Sequence, residues 1–340
     1  MKMAVYGAGS LGIVLGALLT KSGYDVDLIK RNANDVKALN QDGAIITGFL
    51  ELVQPVKALT PAEMTEQYDI IFYLTKTTQN KSALGYCARH LKADGMILCM
   101  QNGLPEDEVI EYMGKERVLG CVTGWGATHL GGSVSKLTSE AEHMTYDIGE
   151  LDGQITERIR RLEQILNHAG KVNVHTNLVG VRWTKLTNNS CYSTMGAIVA
   201  GTYGDVLDNP TAVRCAAFIM NESAAVAKAA GVKPVPFQGY DHTKLTFRTE
   251  KELREKLSGI KALVEHHRNI KTQMIYDIER GQTPEIDTYN AIFVKWGEKF
   301  GVDTPVNRQV VELVKGMAQG KYKLDPANVN LIKLPVLSEE

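Results

Sequence analysis

The stretch that decides the fold is Gly7-Ala8-Gly9-Ser10-Leu11-Gly12, a glycine turn close to the start of the chain. Residues 3–6 before it form an apolar run that is typical of a buried strand. After it, apolar residues recur at the spacing of one helix face, at Leu11, Val14, Leu15, Leu18 and Leu19. A strand, a glycine turn and a helix are the context in which the pattern G-x-G-x-x-G binds a dinucleotide.

Each glycine of this turn (residues 7–12) has a separate task in that interpretation. Gly7 permits the tight turn, Gly9 lets the backbone approach a pyrophosphate, and Gly12 lets the helix pack closely on the strand. The N-terminus of the helix then offers free N–H groups and a positive dipole to the phosphates. The alternative is a glycine turn without a ligand, and the surrounding pattern favours a bound nucleotide.

The second strand, residues 25–29, is followed by Lys30-Arg31-Asn32 instead of the acidic residue that binds the ribose 2′-hydroxyl in NAD-specific folds. A guanidinium suits a 2′-phosphate, and two cations suit its charge. The sequence therefore predicts NADP(H) as the cofactor. The alternative is that Lys30 and Arg31 only point into water after the strand.

Polar residues follow two further apolar runs. Residues 69–74 end in Thr75-Lys76, and residues 95–100 end in Gln101-Asn102-Gly103. Ligands of open α/β sheets lie beyond the carboxyl ends of the strands, so we expect Lys76 and Asn102 near the cofactor. A solvated loop lysine and a turn-forming Asn-Gly are the alternatives. The glycine-rich residues 124–127 could line the same site.

The pattern changes near residue 177. Before it, residues 133–136 and 143–148 are expected to be strands that extend the sheet. After it, a period near 3.6 dominates, and Thr283 is expected to cap a helix that begins at Pro284. We therefore predict an α/β dinucleotide-binding domain over residues 1–176 and an all-α domain over residues 177–340. The tail from about residue 321 has no clear period.

Lys185 and Asn189 lie four residues apart in the first predicted helix of the second domain, so they share a helix face. A lysine and an asparagine so aligned could both face a cleft between domains. Spacing alone is weak evidence, because most helical lysines are solvated.

Composition excludes several classes of protein. The chain has 340 residues and a formal net charge of −1, which gives no electrostatic case for binding nucleic acid or an anionic membrane. No apolar run approaches the ~20 residues that span a bilayer, and the strand at the start leaves no room for a signal peptide. The five dispersed cysteines predict reduced, mostly buried thiols and a cytoplasmic location. We expect no metal site, because His266-His267 has the pattern of a solvated helix face.

Together these features resemble the ketopantoate reductase (2-dehydropantoate 2-reductase) family over residues 1 to about 320. The resemblance implies an N-terminal Rossmann domain, a helical C-terminal domain, an active site in the cleft between them, and NADP(H)-dependent reduction of a 2-oxo acid in pantothenate biosynthesis. The matching motifs, in chain order, are Gly7-Ala8-Gly9-Ser10-Leu11-Gly12, the Arg31 position, Leu74-Thr75-Lys76, Gln101-Asn102-Gly103, Trp183-Thr184-Lys185-Leu186-Thr187-Asn188-Asn189 and Glu285-Ile286-Asp287.

The cofactor half of the pattern matches well. By position, Lys76 and Asn102 resemble the residues beside the nicotinamide and the catalytic lysine, and Asn102 is counted with the catalytic set. Ala127 resembles a backbone contact to the cofactor. Glu285 resembles the acid that binds the cofactor at its nicotinamide ribose.

The substrate half matches less well. Lys185 resembles the family's general acid and Asn189 a substrate contact. Ser193 stands where the family usually has asparagine, Tyr203 where it has a further asparagine, and Gln273 where it has a substrate-binding serine. Ser193 and Gln273 are nevertheless assigned to the substrate site. The second domain is also longer than in the commonest members, around residues 235–269.

Three functions are consistent with the sequence. The first is an NADPH-dependent ketopantoate reductase. The second is a reductase of the same architecture for another 2-oxo acid, because the three departures remove hydrogen-bond partners for the substrate. The third is an NADP(H)-binding regulator without turnover, which would need no proton donor. A homodimer is left open, since an apolar helix face of the second domain could support one.

Overall fold

The structure is a computed structural model that describes residues 1–236 and 241–340. Its chain divides into two compact units, Met1–Leu178 and Val179–Glu340. The predicted fold class, an α/β Rossmann-like domain with a helical domain after it, is confirmed. Part of the segment predicted to be long, residues 237–240, lies outside the described residues.

The first unit contains an eight-stranded sheet in the order β12-β11-β8-β7-β6-β1-β2-β5 and a four-stranded sheet in the order β4-β3-β10-β9. The strands are β1 (Lys2–Tyr6), β2 (Asp25–Ile29), β3 (Ala44–Gly48), β4 (Leu52–Gln54), β5 (Lys57–Leu59), β6 (Tyr68–Tyr73), β7 (Leu91–Cys99), β8 (Val118–Thr123), β9 (Ala127–Gly131), β10 (Val134–Leu137), β11 (Thr145–Gly149) and β12 (Lys171–Val174). The helices of this unit are α1 (Ser10–Lys21), α2 (Ala33–Asp42), α3 (Asn80–His90), α4 (Glu106–Met113) and α5 (Glu157–Leu166).

The large sheet is covered on both faces, and this explains why its inner strands are mainly apolar. In β1, Met3 and Val5 belong to one hydrophobic cluster, whereas Ala4 and Tyr6 belong to the other. β1 pairs in parallel with β2 and with β6, so it is an inner strand of the sheet. The glycine turn leaves the carboxyl end of this strand.

One strand prediction is wrong. Residues 133–136 do not extend the large sheet: β10 pairs with β3 and β9 in the small sheet. The strand is alternately buried and exposed, which is typical of a sheet with one wet face and unsuited to a sheet covered on both sides. The second predicted extension does join the large sheet, where β11 runs antiparallel to β8.

The second unit is helical over its described residues. Its helices are α6 (Leu178–Asn188), α7 (Thr194–Ile198), α8 (Tyr203–Asp208), α9 (Pro210–Ala229), α10 (Glu250–Ala262), α11 (Gln273–Glu279), α12 (Asn290–Phe300) and α13 (Pro305–Ala318). Trp183 of α6 packs edge-on against Trp296 and contacts Phe293, both on α12. The helix expected to begin at Pro284 is wrong: Pro284 is extended and only Glu285–Asp287 form a short 3-10 turn.

The described residues contain no helix that is both long and apolar enough to cross a bilayer. All five cysteines are buried and unpaired as disulfides, as the sequence predicts: Cys87, Cys99 and Cys121 in the first unit, Cys191 and Cys215 in the second. Burial raises the pKa of the thiols of Cys87, Cys191 and Cys215.

A buried carboxylate fastens four strands of the large sheet. Asp27 of β2 is 0% exposed and accepts a hydrogen bond of 2.9 Å from the Tyr68 hydroxyl of β6. The ammonium groups of Lys2 (β1) and Lys57 (β5) lie 2.8 and 3.3 Å from its carboxylate oxygens. Burial and the neighbouring Asp27 charge raise the pKa of Tyr68, so this hydroxyl keeps its proton. The Asp27 carboxylate therefore links β2 to β1, β5 and β6.

We expect Asp27→Ala to lower the free energy of unfolding by about 3 kcal/mol, because it leaves the buried Tyr68 hydroxyl without its acceptor and removes the buried partner of Lys2 and Lys57. Urea unfolding measures the loss. Asp25→Ala is the matched control: Asp25 also pairs with Lys2, but its side chain is 68% exposed, and such surface pairs contribute about 0–1 kcal/mol. Equal losses in the two variants would contradict a special role for Asp27.

Candidate functional site

The glycine turn is shaped by two close backbone approaches. Gly7 has a φ of +103°, and a Cβ atom there would lie 2.7 Å from the Thr75 backbone nitrogen. A Cβ on Gly12 would lie 2.4 Å from the Gly7 carbonyl oxygen. The N–H groups of Gly7 and Ala8 both donate to the Ile29 carbonyl at 3.0 Å, so the turn is tied to the end of β2. Gly7 and Gly12 are thus required by the fold itself.

Gly9 differs from the other two glycines of the turn. The nearest atom to a Cβ at Gly9 would be the Gly7 carbonyl oxygen at 4.0 Å, and the Gly9 φ of −85° lies outside the left-handed region. Within the described residues, the space beside the Gly9 Cα is therefore open. An unfilled approach to the backbone is what a bound pyrophosphate needs.

The N-terminus of α1 carries no side-chain cap and no acidic residue in its first turn. In contrast, Asn32 caps α2 and Thr156 caps α5 through side-chain oxygens that accept backbone N–H groups. The first N–H groups of α1, from Ser10 onward, are therefore left for an anion. This arrangement fits the dinucleotide phosphates.

The two cations after β2 have separate environments. The Lys30 ammonium donates to the Ala8 carbonyl oxygen at 2.9 Å and lies 3.2 Å from the Asp35 carboxylate. Burial lowers the pKa of Lys30. Arg31 is exposed. Lys30 therefore braces the turn from inside, and Arg31 is the cation at this strand end that faces solvent.

Ala127 begins β9 and is half-buried against the hydrophobic cluster that contains Met3 and Val5. The same strand carries His129, whose Nε2 lies 3.1 Å from the Lys30 ammonium. In the neighbouring β10, the Ser135 hydroxyl donates to the Ser10 carbonyl at 2.8 Å. These bonds place the small sheet, with Ala127, alongside the glycine turn.

Lys76 and Asn102 lie at corresponding positions of adjacent loops. β6 and β7 pair in parallel with Tyr73 opposite Cys99. Lys76 lies three residues after Tyr73, and Asn102 lies three residues after Cys99. Both are half-buried. Because Leu74 also donates to the Tyr6 carbonyl at 2.8 Å, the loop of Lys76 begins beside the glycine turn. The three loops thus lie at one edge of the sheet, as the sequence predicts from parallel strands.

Sequence reasoning missed the residues that hold these loops together. The Gln101 side-chain nitrogen donates to the Thr75 carbonyl and to Asn80 Oδ1, each at 2.8 Å. Asn80 is 0% exposed; its Oδ1 also accepts from the Tyr73 hydroxyl, and its Nδ2 donates to Glu108. Gln101 therefore fastens the Lys76 loop to the Asn102 loop. A polar residue at the end of an apolar strand was the available signal.

In the second unit, Lys185 and Asn189 are half-buried, while the residues between them, Leu186, Thr187 and Asn188, are buried. They lie four residues apart along the helix, on one face. Asn189 begins a π-helical turn, Asn189–Ser193, that separates α6 from α7. Such turns are frequent at functional sites. Ser193 ends the turn, and its hydroxyl lies 2.5 Å from the Tyr203 hydroxyl.

A buried polar network holds the π turn. Asn290 donates to the Ser190 carbonyl at 3.2 Å and accepts from the Thr194 hydroxyl at 2.7 Å. It also donates to Asn307, which in turn donates to Glu222 at 2.6 Å. The Glu222 carboxylate accepts the first backbone N–H groups of α13, and burial raises its pKa. Spacing along the sequence could not reveal this network, because its members come from four distant segments.

The remaining two predicted site residues, Gln273 and Glu285, lie elsewhere in the second unit. Gln273 begins α11, is exposed, and donates to Asp277 of its own helix at 3.1 Å. The adjacent Thr272 is buried and caps that helix. Glu285 is half-buried at the start of its 3-10 turn. The structure thus groups Lys185, Asn189 and Ser193 on one segment and places Gln273 and Glu285 on others.

A parallel sheet in which an inner strand runs into a glycine turn and then a helix is typical of dinucleotide-binding folds. The family model described as "Ketopantoate reductase PanE/ApbA" matches residues 3–153, and "Ketopantoate reductase PanE/ApbA C terminal" matches residues 177–318. The chain belongs to the ketopantoate reductase family.

Individual relatives agree with this assignment. The chain is 28% identical to a 2-dehydropantoate 2-reductase of Archaeoglobus fulgidus over 94% of this chain and 98% of that protein. A PanE/ApbA family ketopantoate reductase from Ralstonia eutropha has the same fold, with a TM-score of 0.81, 24% identity, and coverage of 94% and 99% of the two chains. D-mandelate dehydrogenase, solved with NADH and anilino(oxo)acetate, also matches with a TM-score of 0.81, at 23% identity over 94% and 99% of the chains.

The contrast between two glycines gives a prediction. We expect Gly9→Ala to fold with unchanged thermal stability but to weaken NADPH binding about tenfold or more, because its Cβ occupies the approach of the pyrophosphate. Gly12→Ala should lower the unfolding temperature, since its Cβ meets the Gly7 carbonyl. Calorimetric titration and thermal unfolding measure both. Unchanged NADPH affinity in Gly9→Ala would argue against phosphate binding at this turn.

Proposed function

We propose that this protein is a 2-dehydropantoate 2-reductase, which reduces the C2 carbonyl of ketopantoate to pantoate with NADPH. The observation that carries the proposal is Lys185, half-buried on one helix face with Asn189, in a chain whose two halves match the two family models. The name of the Archaeoglobus fulgidus relative supports the same activity.

Lys185 is the proton donor in this proposal. The cofactor supplies the hydride when bound, and negative charge then develops on the substrate's carbonyl oxygen. A positioned ammonium stabilises that charge and gives up a proton. General-acid transfer of this kind contributes about 10²- to 10⁴-fold to the rate. Asn102 is proposed to hold the lysine and the nicotinamide in register.

The geometry of the glycine turn supports part of the proposed set of cofactor contacts. The glycine turn and the uncapped start of α1 bind the pyrophosphate. Arg31, the exposed cation, binds the 2′-phosphate. Lys76 and Ala127 contact the nicotinamide half, and Glu285 of the second unit binds its ribose.

A second candidate is reduction of a different 2-oxo acid by the same chemistry. Asn189, Ser193 and Gln273 are the proposed substrate contacts, yet the Ser193 hydroxyl is engaged by Tyr203 and the Gln273 amide by Asp277. The D-mandelate dehydrogenase match is a differently named enzyme with the same fold. Homodimeric assembly and a cytoplasmic location remain predictions.

The purified protein is expected to oxidise NADPH when ketopantoate is added, and Lys185→Ala to lower kcat by about 10²- to 10⁴-fold with NADPH affinity kept. Absorbance at the nicotinamide band gives the rate over a panel of 2-oxo acids. Lys228→Ala, which removes an exposed lysine of α9, is the control. If another 2-oxo acid is turned over faster than ketopantoate, that acid would be assigned as the substrate instead. No turnover of any acid, with NADPH bound, would favour the regulator.

Arg31→Ala should weaken NADPH binding by about tenfold to a hundredfold while leaving NADH binding unchanged, because only NADPH carries the 2′-phosphate. Titration of each coenzyme into both proteins measures the change in preference. Arg89→Ala, on α3 of the same unit, is the control for loss of a surface guanidinium. A wild-type protein that prefers NADH would overturn the NADP(H) assignment.

A further inference from the structure

Asn188, the last residue of α6, carries an amide that the fold leaves without a partner. Its side chain is only 8% exposed, and in the described part of the chain neither Nδ2 nor Oδ1 has a hydrogen-bond partner. Burial of an unpaired amide is costly, because both groups give up their water. Such a group in a folded protein calls for an explanation.

The other buried asparagines within residues 1–236 and 241–340 show how the chain normally treats this side chain. Asn80, Asn290 and Asn307 are 0% exposed, and each has its amide bonded to named partners. Asn328, 7% exposed, donates to the Lys323 carbonyl at 2.8 Å. Asn188 is the exception, and it is the one that lies on the Lys185 helix.

The position of Asn188 explains the exception. It follows Lys185 by three residues, so these two side chains are neighbours on the helix, and it immediately precedes Asn189 in the chain. The π turn begins at the next residue. An amide held at this place can meet whatever binds against Lys185.

The residue at the family's usual substrate-binding position, Ser193, already has a hydrogen-bond partner. Ser193 replaces the expected asparagine, and its hydroxyl pairs with that of Tyr203 at 2.5 Å. The family's amide is thus absent at position 193, whereas this chain has an amide at Asn188, about one helical turn earlier. A carboxamide offers one donor and one acceptor group, which complement a carboxylate and a hydroxyl.

We propose that Asn188 is a specificity-determining residue that binds the substrate: its Nδ2 donates to the carboxylate of the 2-oxo acid, and its Oδ1 accepts from a hydroxyl group of the same molecule. This inference rests on the proposed function and deepens it.

The test compares Asn188→Leu, which has a similar volume and no amide, with Asn188→Ala, which guards against a folding failure from bulk. Thr187→Val is the control, because the Thr187 hydroxyl is equally buried but bonds to Trp183 and Ser223. KM and kcat are measured with ketopantoate and with the corresponding 2-oxo acid that lacks the hydroxyl. Binding of both acids to the enzyme–NADP⁺ complex is titrated in parallel.

We expect both Asn188 variants to raise KM for ketopantoate about tenfold to a hundredfold, with a smaller rise for the acid without the hydroxyl and unchanged NADPH affinity. An unchanged KM in an active wild-type background would overturn the role of Asn188 and leave the reductase function standing. A loss of NADPH affinity instead would assign the amide to the cofactor. A wild-type protein that neither turns over nor binds any 2-oxo acid would overturn both proposals.

Discussion

The first unit depends on a close approach between two stretches of backbone. At Gly7 and Gly12 there is no room for even one carbon atom, because carbonyl and amide groups of the turn and of the neighbouring loop occupy the space. The turn is further tied to β2 by two N–H groups on one carbonyl and by the Lys30 ammonium on another. This fixes the start of α1 relative to β1, β2 and β6. A rigid frame of this kind is what allows backbone N–H groups to bind an anion without a cost of ordering.

The second unit reaches a similar rigidity by another route. Its π turn interrupts a helix, and the Asn290 amide donates to the Ser190 carbonyl within that turn. The chain of amides continues through Asn307 to a buried carboxylate that also caps α13. Because every link is buried and bonded, the turn has one arrangement rather than several. Asn189 and Ser193 are presented from that single arrangement.

The sequence predicted what depends on local pattern. The glycine turn, the basic residue after β2 and the polar ends of β6 and β7 lie where spacing and apolar runs placed them, because the carboxyl ends of parallel strands share an edge. The sequence-based predictions were wrong where pairing is not local. The residues of β10 do not indicate which sheet the strand joins, and Pro284 does not begin a helix. The partners of Gln101 and Asn290 lie up to 100 residues away, so single-sequence spacing could not reveal them. The different environments of Lys30 and Arg31 could not be predicted either, since in the sequence both are simply cationic residues that follow the strand.

The placement of the cysteines has a practical consequence. All five thiols are buried, and burial keeps those of Cys87, Cys191 and Cys215 protonated well above neutral pH, so a soluble alkylating reagent has no ready nucleophile on the native protein. Three of them belong to the first unit and two to the second. The chain therefore contains its own reporters of local opening: the order in which the thiols become labelled in rising denaturant tells which unit unfolds first.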